Sequence, residues 1–161
     1  MLRTMLAATA ALSLLAIQAH AQEDVTPAKD PDALFHSPNA KLNANKQVAY
    51  HIEKDLLEAN HWELAGKYLS KAYHQHNPNA KSGLDGVVYY FTQVLKVQPK
   101  PIPAKMSTPV VAVMAEGDLV MVATRRQGKD SKGQPFETTW FDMWRIKDGK
   151  ADEHWDGATR Q

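Results

Sequence analysis

Hydrophobic residues return along the first half of the chain at helical spacing. From Asn45, read as an N-cap, Val48, Ala49, Ile52, Leu56 and Ala59 recur every three or four residues and predict one buried helix face. Lys54 and Glu58 stand four apart on the wet face. Trp62, Ala65, Tyr68, Leu69 and Ala72 extend the pattern into a second helix, which Asn77-Pro78 must stop. A third is predicted over about residues 82–97, with Leu84, Val87, Val88, Phe91, Val94 and Leu95 on one face and Ser82 and Asp85 at capping-box spacing.

The period then changes. Pro99, Pro101, Pro103 and Pro109 mark a connector, and short apolar runs follow over residues 110–114 and 119–124, parted by the turn Glu116-Gly117-Asp118. A polar loop, 127–134, leads to the aromatic-rich run 136–146. Lys147-Asp148-Gly149-Lys150 is a hairpin signal, and residues 151–158 close the meander. Helices followed by an antiparallel meander define an α+β domain with helices on one face of a sheet. A sheet curled around them leaves a pocket on its concave side.

Residues 1–21 stand apart. One basic residue (Arg3), an apolar run over 5–17 and the small-x-small end Ala19-His20-Ala21 form the pattern of a cleaved signal peptide. The run is short for a membrane span. Export to the periplasm or the extracellular space is expected, followed by a flexible leader over 22–43 with Pro27, Pro31 and Pro38 and a domain over 44–161. Without Arg3 the basic and acidic residues balance, so no surplus of positive charge invites nucleic acid. No second apolar span points to a membrane once the signal is removed. The chain has no cysteine, which excludes disulfides and thiol chemistry.

The candidate chemistry lies in the aromatic run. Trp140, Asp142, Trp144 and Ile146 share one face of a strand, and Phe141, Met143 and Arg145 the other. A carboxyl withdrawn from water between two indoles gains proton affinity and suits acid–base work. The alternative is a structural aspartate at a sheet edge or paired with Arg125 or Arg126. In the closing strand His154 and Asp156 share a face opposite Trp155, and alternation leaves open which face is inward. Tyr73, Gln75 and Asn77 alternate with His74 and His76, unless the segment is a polar helix exit. His74, His76, His154 and Asp156 are metal-ligand types, but the helical HExxH spacing is lacking and no metal is expected. No phosphate loop, nucleophile elbow or dinucleotide fingerprint is present, and no cofactor is expected.

Gln75-His76-Asn77-Pro78 and the ordered set Asp142, Arg145, Asp148-Gly149-Lys150 and Glu153-His154-Trp155-Asp156, behind three helices, resemble the SnoaL-like polyketide cyclase family of the nuclear transport factor 2 superfamily. The resemblance spans about residue 45 to the C-terminus. It implies a cone-shaped barrel in which three N-terminal helices pack in a curved antiparallel sheet around an apolar cavity. It also implies intramolecular aldol chemistry without metal or organic cofactor, and a homodimer through the outer sheet face. The family's acid–base aspartate would be Asp142, with His76 or Gln75 steadying an enolate oxygen. Tyr73, Gln75, Asn77, Arg125, Trp140, Trp144, His154 and Asp156 would contact a small apolar or aromatic substrate. Many relatives carry a histidine at the place of about Ala123; His76 or Arg125 would stand in for it here. Two other classes fit the same scaffold: a non-catalytic small-molecule binding protein, and a hydrolase in which Asp142, Asp156 and an arginine activate water. Export sets the protein apart from cytoplasmic polyketide intermediates.

Overall fold

In the computed structural model, which describes residues 23–160, the chain joins its core earlier than the hydrophobic pattern indicates. The expected signal peptide lies outside the described residues. Within the segment read as a leader, a 3-10 turn at Asp32–Phe35 sets Phe35 into the core, fully buried and edge-on to Tyr50 at 5.4 Å. Helix α1 (Ala40–His51) starts at Asn39, whose Oδ1 accepts the Leu42 N–H at 3.1 Å. Asn45, the expected cap, is instead buried inside the helix and donates from Nδ2 to the Gly117 carbonyl at 3.2 Å. Competition between two nearby asparagines explains the displaced start, since either side chain can cap.

The α1 axis continues through a π-helical segment, Ile52–Glu58. Ala49, Ile52, Leu56 and Ala59 are buried, as their spacing predicts. Lys54 lies over the Tyr50 ring and Glu58 accepts from Ser107 and Thr108, so these two do not pair with each other.

The second helix is cut short. A 3-10 turn, Trp62–Leu64, and helix α2 (Ala65–Tyr68) give way to strand β1 (Leu69–Gln75). Leu69 and Tyr73 are both buried. Residues four apart share a face in a strand as well as in a helix, so their spacing fits both structures. The edge of the last strand decides the matter by offering β1 backbone partners. Helix α3 (Leu84–Tyr89) and its π-helical extension Tyr90–Val94 fall within the predicted range. Ser82 does not cap α3; its Oγ accepts the Gln75 N–H at 3.0 Å and pins the end of β1.

Strands β2 (Val110–Glu116), β3 (Leu119–Lys129), β4 (Pro135–Lys147) and β5 (Lys150–Asp156) form the meander, in the sheet order β1-β5-β4-β3-β2. The sheet is mixed rather than wholly antiparallel, because β1 runs parallel to β5. It curves without closing, so the fold is an open α+β cone. Asp148 and Gly149 both have positive φ, 50° and 74°, as a tight β4–β5 hairpin requires. Val110, Val120, Val122, Trp144, Ile146 and Ala151 cover the inner sheet face and meet Ile52, Leu56, Trp62 and Val87 from the helices.

Candidate active site

The β4–β5 register sets Asp142 opposite Asp156 and Trp144 opposite His154. Asp142, Trp144 and Ile146 are buried on the inner face, and so is His154. Parallel pairing of Gln75 with His154 adds β1 to the same site. Tyr73, Gln75 and Asn77 line a cavity of about 240 Å³ together with Trp140, Asp142, Trp144, His154 and Asp156. Ile52, Leu57, Trp62, Tyr90, Phe91 and Leu95 supply an apolar wall from the helices. Trp62 stacks on Phe91 at 3.8 Å within it.

A chain of hydrogen bonds assigns the protons. The Asn77 backbone N–H can only donate, and it donates to Gln75 Oε1 at 2.9 Å. That oxygen lies 2.8 Å from His154 Nδ1, which must therefore carry hydrogen. His154 Nε2 then faces Asp142 Oδ1 at 3.0 Å. This contact holds one proton, either on the carboxyl and donated to nitrogen or on an imidazolium and donated to carboxylate. Either arrangement joins an acid and a base across one hydrogen bond. The imidazole is held between Tyr73 and Trp144, with ring centroids at 6.3 Å and 5.2 Å. Asp142 Oδ2 has no partner among the described residues and is left to the cavity. Tyr73 accepts the Trp144 indole N–H at 3.2 Å, which leaves its own O–H to donate. Burial pushes the Tyr73 phenol far above its ordinary range and keeps it neutral.

Two expected residues lie elsewhere. His76 is on the outer side of the sheet, stacked on Trp155 at 5.2 Å with Nε2 bonded to Glu153 Oε1 at 2.9 Å. His76 and Arg145 together hold the Glu153 carboxyl below its usual range. Arg125 also faces outward, with Nη1 3.6 Å from Glu137. The pairing of Val122 with Asp142 sends Val122, Thr124 and Arg126 inward, and Ala123 and Arg125 out. Thus Arg126 is the arginine that lines the cavity, its guanidinium 3.7 Å above the Trp140 ring. His154, expected only as a substrate contact, is the partner of Asp142. Its place opposite Trp144 across the hairpin is the signal that could have found it.

Glu53 escaped the sequence reading altogether. It lies in the π-helical segment, buried, with Oε1 lacking a partner among the described residues. Burial first, and then the charge of Asp142, push its carboxyl well above the ordinary value of 4.5. The unfolded chain ionises Glu53 near that ordinary value, while the fold holds the proton to higher pH. Its contribution is therefore complete below about 4.5 and is lost as pH rises through the raised folded value. Glu53→Gln is expected to flatten the fall in stability as pH rises above the ordinary value of 4.5, read from urea midpoints. An unchanged slope would mean that the carboxyl ionises freely in the fold.

Ligand-type atoms of Asp142, His154 and Asp156 lie within 4.8 Å of one another, close enough for one water or one cation to bridge. The dyad bond occupies the nitrogen that a cation would need, and Asp156 accepts from Asn77 Nδ2 at 2.7 Å and the Ala158 N–H at 2.9 Å. His74 and His76, expected as ligand types, are exposed and outside this cluster.

The open α+β cone, here with a buried Asp–His pair at its cavity, is the nuclear transport factor 2-like fold. Residues 48–154 match the SnoaL-like domain, and the chain belongs to that family. Three solved structures share the fold. A protein of unknown function with cystatin-like fold from Xanthomonas campestris is 21% identical, with 73% of this chain and 92% of that one covered and a TM-score of 0.52. A candidate SnoaL-like polyketide cyclase from Jannaschia sp. CCS1 is 16% identical, with 76% and 90% covered and a TM-score of 0.51. TerC, co-crystallised with polyporic acid, is 17% identical, with 72% and 92% covered and a TM-score of 0.51. At these identities the likeness carries the fold alone. No curated protein matches the chain.

Proposed function

We propose that this protein is an exported, cofactor-independent acid–base enzyme of the cyclase or isomerase type, acting on a small ring-bearing carbonyl compound. The observation that carries the reading is the buried Asp142–His154 contact at 3.0 Å, with Asp142 Oδ2 left to a cavity walled by aromatic and aliphatic side chains. In the carboxylate–imidazolium form, Oδ2 takes a proton from the carbon α to a carbonyl. The Tyr73 O–H donates to the enolate oxygen, a contact worth about 3 kcal/mol when aimed at developing charge. The proton then returns from Asp142 to another carbon or to the alkoxide of a closed ring, so no co-reactant is consumed. A cavity of about 150 Å³ accepts benzene, so one of about 240 Å³ suits a substituted ring. Family membership supports the same reaction type.

The test is deuterium exchange. Cyclic ketones of one and two rings, incubated with the protein in D₂O and followed by proton NMR, are expected to lose α-protons faster than in buffer alone. Compounds that shift the tryptophan resonances and show no added exchange would replace this reading with a carrier protein.

One observation supports hydrolysis as a second reading: Asp142 and Asp156 both face the cavity within reach of a single water. Incorporation of ¹⁸O from labelled water into product separates the two. The pattern of residues 1–21 supports export. A row of Met114, Met121, Met143 and Trp155 on the outer sheet face, beside exposed Phe141, supports a homodimer.

A further inference from the structure

Arg126 has no task in the chemistry above, yet it is the cationic side chain at the cavity. Its guanidinium lies flat on Trp140, and no carboxylate among the described residues is within salt-bridge distance of it. Arg126 and the buried Glu53 act on each other electrostatically without forming an ion pair, and burial pushes the Glu53 carboxyl well above its ordinary value. The carboxylates that line the cavity have other partners: Asp142 is bonded to His154, and Asp156 accepts from Asn77 and Ala158, so neither forms an ion pair with Arg126. Beside Arg126, the Trp140 indole N–H is buried without an acceptor. A buried donor without a partner calls for an explanation, and a bound acceptor provides one. The guanidinium and the Trp140 N–H are thus two donors with no hydrogen-bonded acceptor among the described residues.

Arg126 is exposed, which places it at the mouth. In the β3–β4 register it faces Thr138, and Asp142 lies four residues further along β4. At about 3.3 Å per residue, the backbones are about 13 Å apart, with Trp140 midway. The guanidinium over Trp140 is thus about a ring's breadth from the dyad. Stacking on an indole holds the guanidinium plane and leaves its edge to meet a carboxylate with two parallel hydrogen bonds.

We propose that Arg126 is a specificity-determining residue and that the substrate is a ring compound bearing a carboxylate on the side remote from its reacting carbon. The proposal rests on the ring-compound reading of the cavity and adds the anionic group. Arg126 holds the carboxylate at the mouth, Trp140 covers the ring, and the reacting carbon meets Asp142 Oδ2.

The test reads binding, so it is separate from turnover. Benzoate and benzamide, alike in shape and different in charge, are titrated against the full protein at low salt by tryptophan fluorescence. Benzoate is expected to bind about ten- to a hundredfold more tightly, the worth of a hydrogen-bonded charge. Arg126→Gln is expected to remove that preference and leave benzamide binding unchanged; circular dichroism checks that the variant is folded. Equal affinities in the wild type, or a preference that survives the substitution, would overturn the proposal. A protein that fails the deuterium test and still prefers benzoate through Arg126 retains this specificity and loses only the reaction.

Discussion

Replacing Asp142 by asparagine is expected to lower the α-exchange rate by about 10²- to 10⁴-fold, the range for loss of a positioned general base. The fold should survive. Asparagine has the same shape, and its Nδ2 can donate to His154 Nε2 where the carboxyl oxygen now stands 3.0 Å away. Gln75 keeps Nδ1 protonated in the variant as in the parent. What disappears is the movable proton, because an amide neither accepts the substrate proton nor exchanges one with the imidazole. Nitrogen-15 spectra of the His154 ring should show a fixed neutral tautomer in the variant. The decisive comparison sets exchange rates beside thermal melts. An unchanged rate in a folded variant would remove Asp142 from the role of base, whereas a lost melt would make it a structural acid.

Phe35→Ala should cause the largest loss of stability among the substitutions considered, about 3–5 kcal/mol. The side chain is fully buried, packs edge-on to Tyr50 and belongs to the main core cluster. Truncation removes its transfer energy and leaves a cavity between α1 and the 3-10 turn that α1 must follow. Domains of this size have about 5–15 kcal/mol in total, so the variant should unfold at much lower urea. A shift worth less than about 0.5 kcal/mol, typical of surface positions, would show that residues before Asn39 are dispensable.

That residue also shows where the linear pattern runs out. A lone phenylalanine among prolines and polar residues carries no period, so nothing local distinguishes an anchor from a leader. Alternation in β4 was strong enough to group Asp142 with Trp140 and Trp144. The Asp148-Gly149 pair likewise carried its own turn, because positive φ is a local property. The helical face of α1 was legible for the same reason. Strand β1 was not: Leu69 and Tyr73 satisfy either period, and β5, some eighty residues away, supplies the hydrogen bonds that choose the strand.

The site divides along the same line. Alternation grouped Asp142 with Trp140 and Trp144, the family resemblance added Gln75 and Asn77, and the structure brings all five together at one cavity. The exchange of His76 for His154, and of Arg125 for Arg126, each turned on which face of a strand is inward. A one-residue step reverses that face, and only pairing with another strand sets it.

Sequence alone thus determined the family, the buried face of α1, the closing meander and the grouping of the aspartate with its flanking indoles, because periodicity, turns and alternation act over a few residues. Tertiary structure decided which histidine shares a proton with that aspartate, which arginine reaches the cavity and that β1 lies parallel to β5. Those outcomes depend on contacts between distant segments, whose register no local pattern encodes.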